Sequence, residues 1–298
     1  MGEITPPRPG QELERLNPPS RNAIALAVTL ATLPAFAQDA GGYSAGPGLA
    51  PAPDYQTTVL SYRPSPLDTQ TRQFTLSRFW RLDPGRYEVE VWLDTKFAKH
   101  GEGSESTLKT EIEIGLSTHI QLDIYLNFGW GTGNESSSFG YQGVSLEMRY
   151  SIASYYNAIS WNPVLYLEFT TNKTAQDRFE FRFLTGGDLS FWSGLWASNF
   201  FFETNVDDYN GADGLDMELG ITASANFPVL RDWLRLGAEM RVGVDQHGTS
   251  TFYGNFQIGP EMVATYQPAN LKLTASALFG VCPEDPLVRL YLIAGWQF

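Results

Sequence analysis

The last stretch of the chain, residues 288–298, alternates strictly between apolar side chains and side chains of mixed polarity. Successive side chains of a β-strand point to opposite faces, so this pattern predicts a strand with one wholly apolar face. That face carries Val288, Leu290, Leu292, Ala294, Trp296 and Phe298. A strand of about ten residues that is apolar on one face and has aromatic residues near its end is what a membrane β-barrel requires.

The same alternation recurs about twelve times from Tyr87 onward. Several segments exceed the five or six residues usual for strands, and about ten residues cross a bilayer at a tilt of about 45°. The opposite face carries too many charges to be buried dry. The sequence therefore predicts an all-β fold, an antiparallel up-and-down transmembrane barrel of about twelve strands over residues 86–298. The predicted strands are 87–94, 108–116, 120–130, 144–152, 165–169, 179–183, 189–204, with Gly194 as a bulge, 215–227, 234–244, 252–266, 271–279 and 288–298.

The connections between these strands alternate in length. Shorter links, such as 117–118, 186–188 and 267–270, follow even-numbered strands. Long loops on one side and short turns on the other are typical of extracellular loops and periplasmic turns. An even strand count then places both ends of the mature chain in the periplasm. The longer polar loops, which follow odd-numbered strands, are 99–106, 131–143, 171–177, 205–214, 245–251 and 282–286.

The N-terminal residues predict export. Residues 23–37 form a short apolar core that ends in Ala35-Phe36-Ala37, which is typical of a signal peptide cleaved after the second alanine. A buried core helix is the alternative, and Pro34 argues against it. We therefore divide the chain into an extension with a signal peptide over 1–37, a disordered or periplasmic lead-in over 38–85 containing the turn Asp83-Pro84-Gly85, and the barrel over 86–298.

The composition excludes several classes of function. A formal net charge of −13 argues against nucleic-acid binding, which requires a basic surface. A single cysteine, Cys282, excludes an intramolecular disulfide. This cysteine and three dispersed histidines give no metal-ligand spacing, so we predict no metal and no cofactor. The acidic loop residues Asp207, Asp208 and Asp213 predict a solvated loop more than a calcium site.

The inward face of the predicted barrel contains more carboxylates than cations. One interpretation is a water-filled passage with a negative field, which favours cations or polar solutes. The other is an ionic network that fills a narrow lumen and holds its shape, and both stay open. The predicted lumen-lining residues are Glu111, Glu113, Asp123, Glu147, Arg149, Glu180, Arg182, Asp216, Glu218, Arg235, Glu239, Arg241, Glu261, Lys272 and Arg289.

Membrane barrels also include lipid hydrolases, which form an alternative class. Such an enzyme needs a base beside its nucleophile. The histidines His100 and His247 fall in predicted outer loops and His119 beside a predicted turn. The sequence His247-Gly-Thr-Ser250 lacks the His-x-Ser-Asn-Gly arrangement of the phospholipase barrels, so we predict no catalytic residue and no enzyme.

The C-terminal strand, with Trp296 and Phe298 at its end, resembles the assembly signal of bacterial outer-membrane β-barrel proteins. The resemblance covers roughly residues 87–298. It implies insertion in the outer membrane by the barrel-assembly machinery, with lipid and small solutes as partners. Within that class the chain looks like the outer-membrane transporters of the phenol-degradation (MetA-pathway) type, through length and Glu-rich, aromatic strands. That likeness implies passive passage of small, hydrophobic or aromatic compounds. A structural or adhesive barrel, with the loop 131–143 binding a partner, is a third possibility.

Overall fold

The computed structural model describes residues 64–99, 103–132, 139–173, 175–206, 216–230, 233–247 and 251–298. These residues fall in one unit, Leu60–Phe298. The predicted signal peptide, with Ala35 and Ala37, lies outside the described residues, and so does the lead-in up to residue 63. Within the described part of the chain, no helix is both long and apolar enough to cross a membrane.

Twelve antiparallel strands close into a barrel, in which each strand pairs with its sequence neighbours and β1 pairs with β12. Closure leaves no strand edge exposed, which a sheet surrounded by lipid requires. The predicted fold class is confirmed. The strands are β1 (Tyr87–Phe97), β2 (Ser104–Gly115), β3 (Ile120–Thr132), β4 (Gly140–Ser151), β5 (Val164–Asn172), β6 (Arg178–Asp188), β7 (Leu195–Asn205), β8 (Met217–Leu230), β9 (Leu234–His247), β10 (Thr251–Tyr266), β11 (Leu271–Gly280) and β12 (Val288–Gln297).

The alternation read from the sequence corresponds to the two faces of the wall. In β12, Leu290 and Leu292 are exposed on the outside, whereas Tyr291 and Ile293 are buried inside. Apolar side chains cover the outer surface in strand after strand, and most of the charged side chains of the strands point into the lumen. The outer surface is therefore suited to lipid and the lumen to polar contacts.

The seventh strand begins later than predicted. β7 starts at Leu195, and Phe191 and Trp192 lie in the preceding turn. Trp192 and Ser193 have φ angles of 54° and 49°, which an extended strand does not allow. Gly194 closes this turn through hydrogen bonds with Leu189 and Phe191, so the predicted bulge is wrong. Aromatic side chains suggested a strand there because they are common both in strands and at membrane interfaces.

One connection is shorter than predicted, and one link that follows an even-numbered strand is long. β9 and β10 extend further than expected, so only residues 248–250 separate them. The link between β4 and β5 spans residues 152–163 and is far from a tight turn. Ala153 and Tyr156 in this link are buried, because they pack against a segment inside the barrel.

That segment, residues 65–83, precedes β1 and is called the plug. It contains the short helix α1 (Leu67–Gln70) near its start, and its last residue, Asp83, lies beside its first residue, Ser65. The Asp83 carboxylate accepts hydrogen bonds from Ser65 N and Ser65 Oγ, each 2.9 Å long. A turn follows in which Arg86 N donates to Asp83 O and Gly85 has a φ of 75°, a conformation that favours glycine. The turn connects the plug directly to β1.

The plug lies in the lumen, whereas the sequence suggested a disordered or periplasmic lead-in over 38–85. Phe74, Trp80, Arg81 and Leu82 are 0% exposed. Burying aromatic and aliphatic side chains removes apolar surface from water and offsets the cost of ordering the chain. The part of the lead-in that the structure describes therefore behaves as core.

A charged substitution on the outer face tests the membrane orientation of the wall. Leu292 lies outward near the middle of β12, and Leu287 lies exposed just before that strand. We expect Leu292→Arg to lower the free energy of unfolding in lipid vesicles by about 2–4 kcal/mol, and Leu287→Arg by about 0–1 kcal/mol. Chemical denaturation measures both values. Equal costs at the two positions would contradict a bilayer centred on the strands.

Candidate functional site: the lumen and its plug

The barrel has two distinct ends. The termini end is the one at which β1 begins and β12 finishes, joined by hydrogen bonds between Tyr87 and Phe298. The loop end is the opposite one, where β1 is followed by the connection to β2. Because both ends of the plug, Ser65 and Asp83, meet near the start of β1, the plug fills the lumen from the termini end.

One side of the lumen is an acidic wall formed by β1 to β4. Its own cation is Arg149, which lies 3.0 Å from Asp123 and bonds to Glu147. Every carboxylate of the wall is at most 1% exposed. Charges withdrawn from water to this degree require counter-ions and hydrogen bonds, and one arginine cannot supply them. The carboxylates of the acidic wall are Glu88, Glu90, Glu111, Glu113, Asp123 and Glu147.

The plug supplies the missing cations. Both Nη atoms of Arg78 donate to the two carboxylate oxygens of Glu113. Arg72 Nε donates to Glu90 at 2.9 Å, and the Arg72 guanidinium lies 3.9 Å from the centre of the Trp92 ring. Bidentate pairing and stacking on an aromatic ring are the strongest contacts available to a guanidinium group.

The acidic wall has the donor geometry of a cation site. The carboxylate oxygens of Glu88, Glu90 and Glu113 lie within 4.8 Å of one another, as do those of Glu111, Asp123 and Glu147. In this structure, arginine guanidinium groups lie against both groups of carboxylates: Arg78 contacts the first and Arg149 the second.

Opposite the acidic wall, the termini-end part of the side formed by β5 to β7 is apolar. Phe74, Phe79 and Trp80 of the plug pack there in one hydrophobic cluster. Gly186 of β6 allows this approach, because a Cβ at that position would lie 2.4 Å from the Cβ of Phe79. The link 152–163 covers the same cluster, which explains its length. The partners of the plug in this cluster are Ala153, Tyr156, Val164, Tyr166, Leu184, Leu195 and Ala197.

The third side, formed by β8 to β11, hydrogen-bonds the polar atoms of the plug. Glu239 accepts from Leu76 N at 3.0 Å and from the Thr75 hydroxyl. The hydroxyls of Ser77 and Thr222 lie 2.8 Å apart. Buried polar atoms without such partners would be costly, so the wall on this side complements the backbone and hydroxyls of the plug.

Open space remains between the tip of the plug and the loop end. A deep cavity of about 210 Å³ lies against Arg72, Thr75, Leu76 and Arg78 of the plug. A vestibule of about 720 Å³ lies towards the loop end. The two spaces share lining residues, so they are contiguous; the shared residues are Lys96, Glu218, Arg241 and Arg289.

Around the deep cavity, cations and carboxylates are paired. Arg289 binds both carboxylate oxygens of Asp94, at 2.9 and 2.6 Å. Arg241 donates through Nε and Nη2 to one carboxylate oxygen, Oε1, of Glu218 on the neighbouring strand. The lumen at this level is therefore of mixed charge, and its carboxylate excess lies deeper, in the acidic wall. Arg178 with Glu203 and Arg182 with Glu180 are further pairs.

The structure sorts the sequence-predicted lumen residues by depth. Asp216 lies just ahead of β8 at the loop end, and Arg235 bonds to the turn at Ser193 at the termini end. The remaining residues form three sets. Glu111, Glu113, Asp123, Glu147 and Arg149 belong to the acidic wall; Glu180, Arg182, Glu218, Arg241 and Arg289 line the deep cavity; Glu239, Glu261 and Lys272 line the third side beside the plug.

Sequence reasoning missed Arg72, Arg78 and Arg81, because their segment has no strand period. Arg81 is fully buried and donates to backbone carbonyls at the termini end, including Ser154 O at 3.0 Å. Two signals pointed to this role. Phe74, Phe79 and Trp80 have no place in a solvated lead-in, and the predicted inward face lacks enough cations for its carboxylates.

The histidines have separate surroundings. His119 Nδ1 lies 2.7 Å from Ser151 O, and its ring stacks on Tyr150 at a centroid distance of 5.6 Å. These contacts anchor the turn between β2 and β3. His100 and the side chain of His247 lie outside the described part of the structure.

Comparison with known proteins finds similarity in fold. No family model matches the chain, and no curated protein matches it. The COG4313 outer membrane channel from Pseudomonas putida F1 superposes with a TM-score of 0.52, at 12% identity, over 74% of this chain and 98% of that one.

This is the fold of bacterial outer-membrane β-barrel proteins. Two further solved structures align with it. The NanC porin gives a TM-score of 0.48 at 10% identity, over 70% of this chain and 97% of that chain. The translocator domain of the autotransporter NalP from Neisseria meningitidis gives 0.46 at 12% identity, over 72% and 88%. The predicted resemblance to this class is confirmed, and the narrower phenol-degradation likeness stays a prediction.

Removing one plug arginine tests the electrostatic anchoring. We expect Arg78→Ala to weaken the seating of the plug by about 3–5 kcal/mol, because it leaves buried carboxylates without their counter-ion. Ser77→Cys in a Cys282→Ser background reports this as maleimide labelling, since Ser77 is 0% exposed. Labelling should accelerate more than about tenfold, which corresponds to only about 1.4 kcal/mol. Arg86→Ala, at an exposed position beside the plug, is the matched control and should leave the rate unchanged.

Proposed function

We propose that this chain is an exported outer-membrane channel through which small polar solutes diffuse passively, with the plug controlling passage. One observation carries the proposal. A vestibule of about 720 Å³ leads into a charged lumen that is closed by a segment which is not part of the wall. A barrel with a purely structural role has no need of such an approach.

The orientation of the barrel in the membrane follows from the predicted export and from the C-terminal strand. Signal-peptide export would deliver the chain to the periplasm, and the barrel-assembly machinery would recognise the strand that ends in Trp296 and Phe298. The termini end then faces the periplasm and the loop end faces outward. A solute would enter the vestibule from outside and reach the tip of the plug through the paired charges of the deep cavity.

In this proposal, release of the plug limits the passage of solutes. The plug combines a hydrophobic side, an arginine side and a hydrogen-bonding side, each matched to a different part of the lumen. Small solutes fit the deep cavity of about 210 Å³, but continued passage requires space that the plug occupies. The conductance should therefore depend on the stability of the plug and not only on the width of the wall.

Planar-bilayer conductance of the refolded full chain tests this proposal. Trp80→Ala removes a fully buried anchor of the plug, a change that costs about 3–5 kcal/mol in a well-packed core. We expect the open probability to rise by at least about tenfold, since about 1.4 kcal/mol suffices for that factor. Trp233→Ala removes an exposed tryptophan of the β8–β9 turn at the termini end and serves as the control.

The folded state of each variant is checked by its heat-modifiable migration in gel electrophoresis. Folded wild type and folded Trp80→Ala that both fail to conduct would contradict a channel. Equal conductance of the two would show that the plug does not limit passage.

A further inference from the structure

The plug arginines occupy a site that is built from the wall and not from the plug. The Arg78 side chain is 6% exposed, and its Nη atoms lie 3.9 Å from Glu88 and 3.7 Å from Glu90 in addition to the bidentate contact with Glu113. All three carboxylates belong to the hydrogen-bonded strands β1 and β2. The paired strands of the wall, and not the plug, therefore set the positions of these carboxylates.

The neighbouring contact of Arg72 extends this site. Arg72 Nε donates to Glu90, its Nη2 lies 3.8 Å from Glu111, and its guanidinium covers the ring of Trp92. Trp92 is held in turn, because its Nε1 donates to Glu111 at 2.9 Å. Carboxylates arranged beside an aromatic ring bind a planar guanidinium group in preference to a compact ammonium group or an uncharged group.

The acidic wall also retains unused capacity for donors. Among the described residues, Glu88 Oε2, Glu90 Oε1 and Glu111 Oε1 are buried and accept no hydrogen bond, even with both plug arginines in place. Buried carboxylate oxygens without donors are costly. A ligand that offers more N–H groups than the plug does would satisfy them.

A solute can approach this site from the vestibule. Arg72 and Arg78 both line the deep cavity together with Trp92 and Glu147 of the wall, so the plug arginines border the open lumen. A cationic solute that reaches the cavity meets the contacts at which the plug is held. Competition at those contacts would couple solute binding directly to release of the plug.

We infer that the acidic wall is a binding site for small solutes that carry guanidinium groups, and that Arg72 and Arg78 of the plug occupy it as intramolecular competitors. This inference rests on the proposed channel function, to which it adds a class of solute. When the solute binds Glu88, Glu90, Glu111 and Glu113, the plug loses its electrostatic anchor. The hydrophobic cluster and the hydrogen bonds to β8–β11 then hold it.

Equilibrium binding to the full chain in lipid vesicles tests the inference, with L-arginine as the probe and L-citrulline, its uncharged isostere, as the control. Arg78→Gln removes the guanidinium group that contacts Glu88, Glu90 and Glu113, and it keeps every carboxylate of the acidic wall. An intramolecular competitor leaves only a fraction of the sites free, and the apparent affinity for L-arginine falls in proportion to that free fraction. We therefore expect Arg78→Gln to bind L-arginine about tenfold or more tightly than the wild type. L-citrulline should bind neither form measurably.

Two further variants separate a guanidinium site from a general negative field. Glu113→Gln added to Arg78→Gln should remove most of the gain in affinity, because it removes the bidentate partner. Trp92→Leu added to Arg78→Gln keeps every charge but removes the aromatic platform, and it should weaken L-arginine more than L-lysine. Unchanged binding in both double variants, or equal binding of L-arginine and L-citrulline, would overturn the inference.

A labelling experiment connects binding to the plug. In the Ser77→Cys, Cys282→Ser chain, L-arginine should accelerate maleimide labelling and L-citrulline should not. Conductance without any preference for L-arginine would overturn this inference and leave the channel intact. Binding of L-arginine by a barrel that never conducts would instead overturn the channel and leave the site.

Discussion

The structure depends on the neutralisation of buried carboxylates by arginines that come from outside the wall. Strands β1 to β4 place six carboxylates at almost zero exposure with Arg149 as their own cation. Such an arrangement is unfavourable by itself, because the free-energy cost of removing six carboxylates from water exceeds the stabilisation that one arginine provides. Arg72 and Arg78 make it favourable, so the wall and the plug are stable as a pair.

The rest of the lumen follows from this pairing. With its arginine side fixed against β1 to β4, the plug presents Phe74, Phe79 and Trp80 to β5 through β7. The long link 152–163 and the missing side chain of Gly186 accommodate these rings. The ionic-network interpretation of the inward charges applies beside the plug, and the passage of solutes through the space above it stays a prediction. An ionic network fills the lumen beside the plug, and an open space lined by charge pairs lies above it.

The twelve strands and their faces could be predicted because alternation is a local property that each strand displays by itself. Turns and loops were less predictable. Phe191 and Trp192 have the composition of a strand, but positive φ angles beside Gly194 place them in a turn. The plug could not be predicted from local sequence patterns, because its contacts join residues that are far apart in the chain, such as Arg78 with Glu113 and Thr75 with Glu239. The shortage of inward cations and the aromatic residues of the segment were the signals that pointed to it.

The turn at Pro84 and Gly85 ties the plug to β1, which is also the strand that closes the barrel by pairing with β12. The last seam of the wall thus forms beside the point where the plug enters. A barrel whose first and last strands have not yet met is a sheet that is open at that side, and the plug can be laid against it without threading. Pairing of β1 with β12 then closes the cylinder around the plug that directly precedes β1.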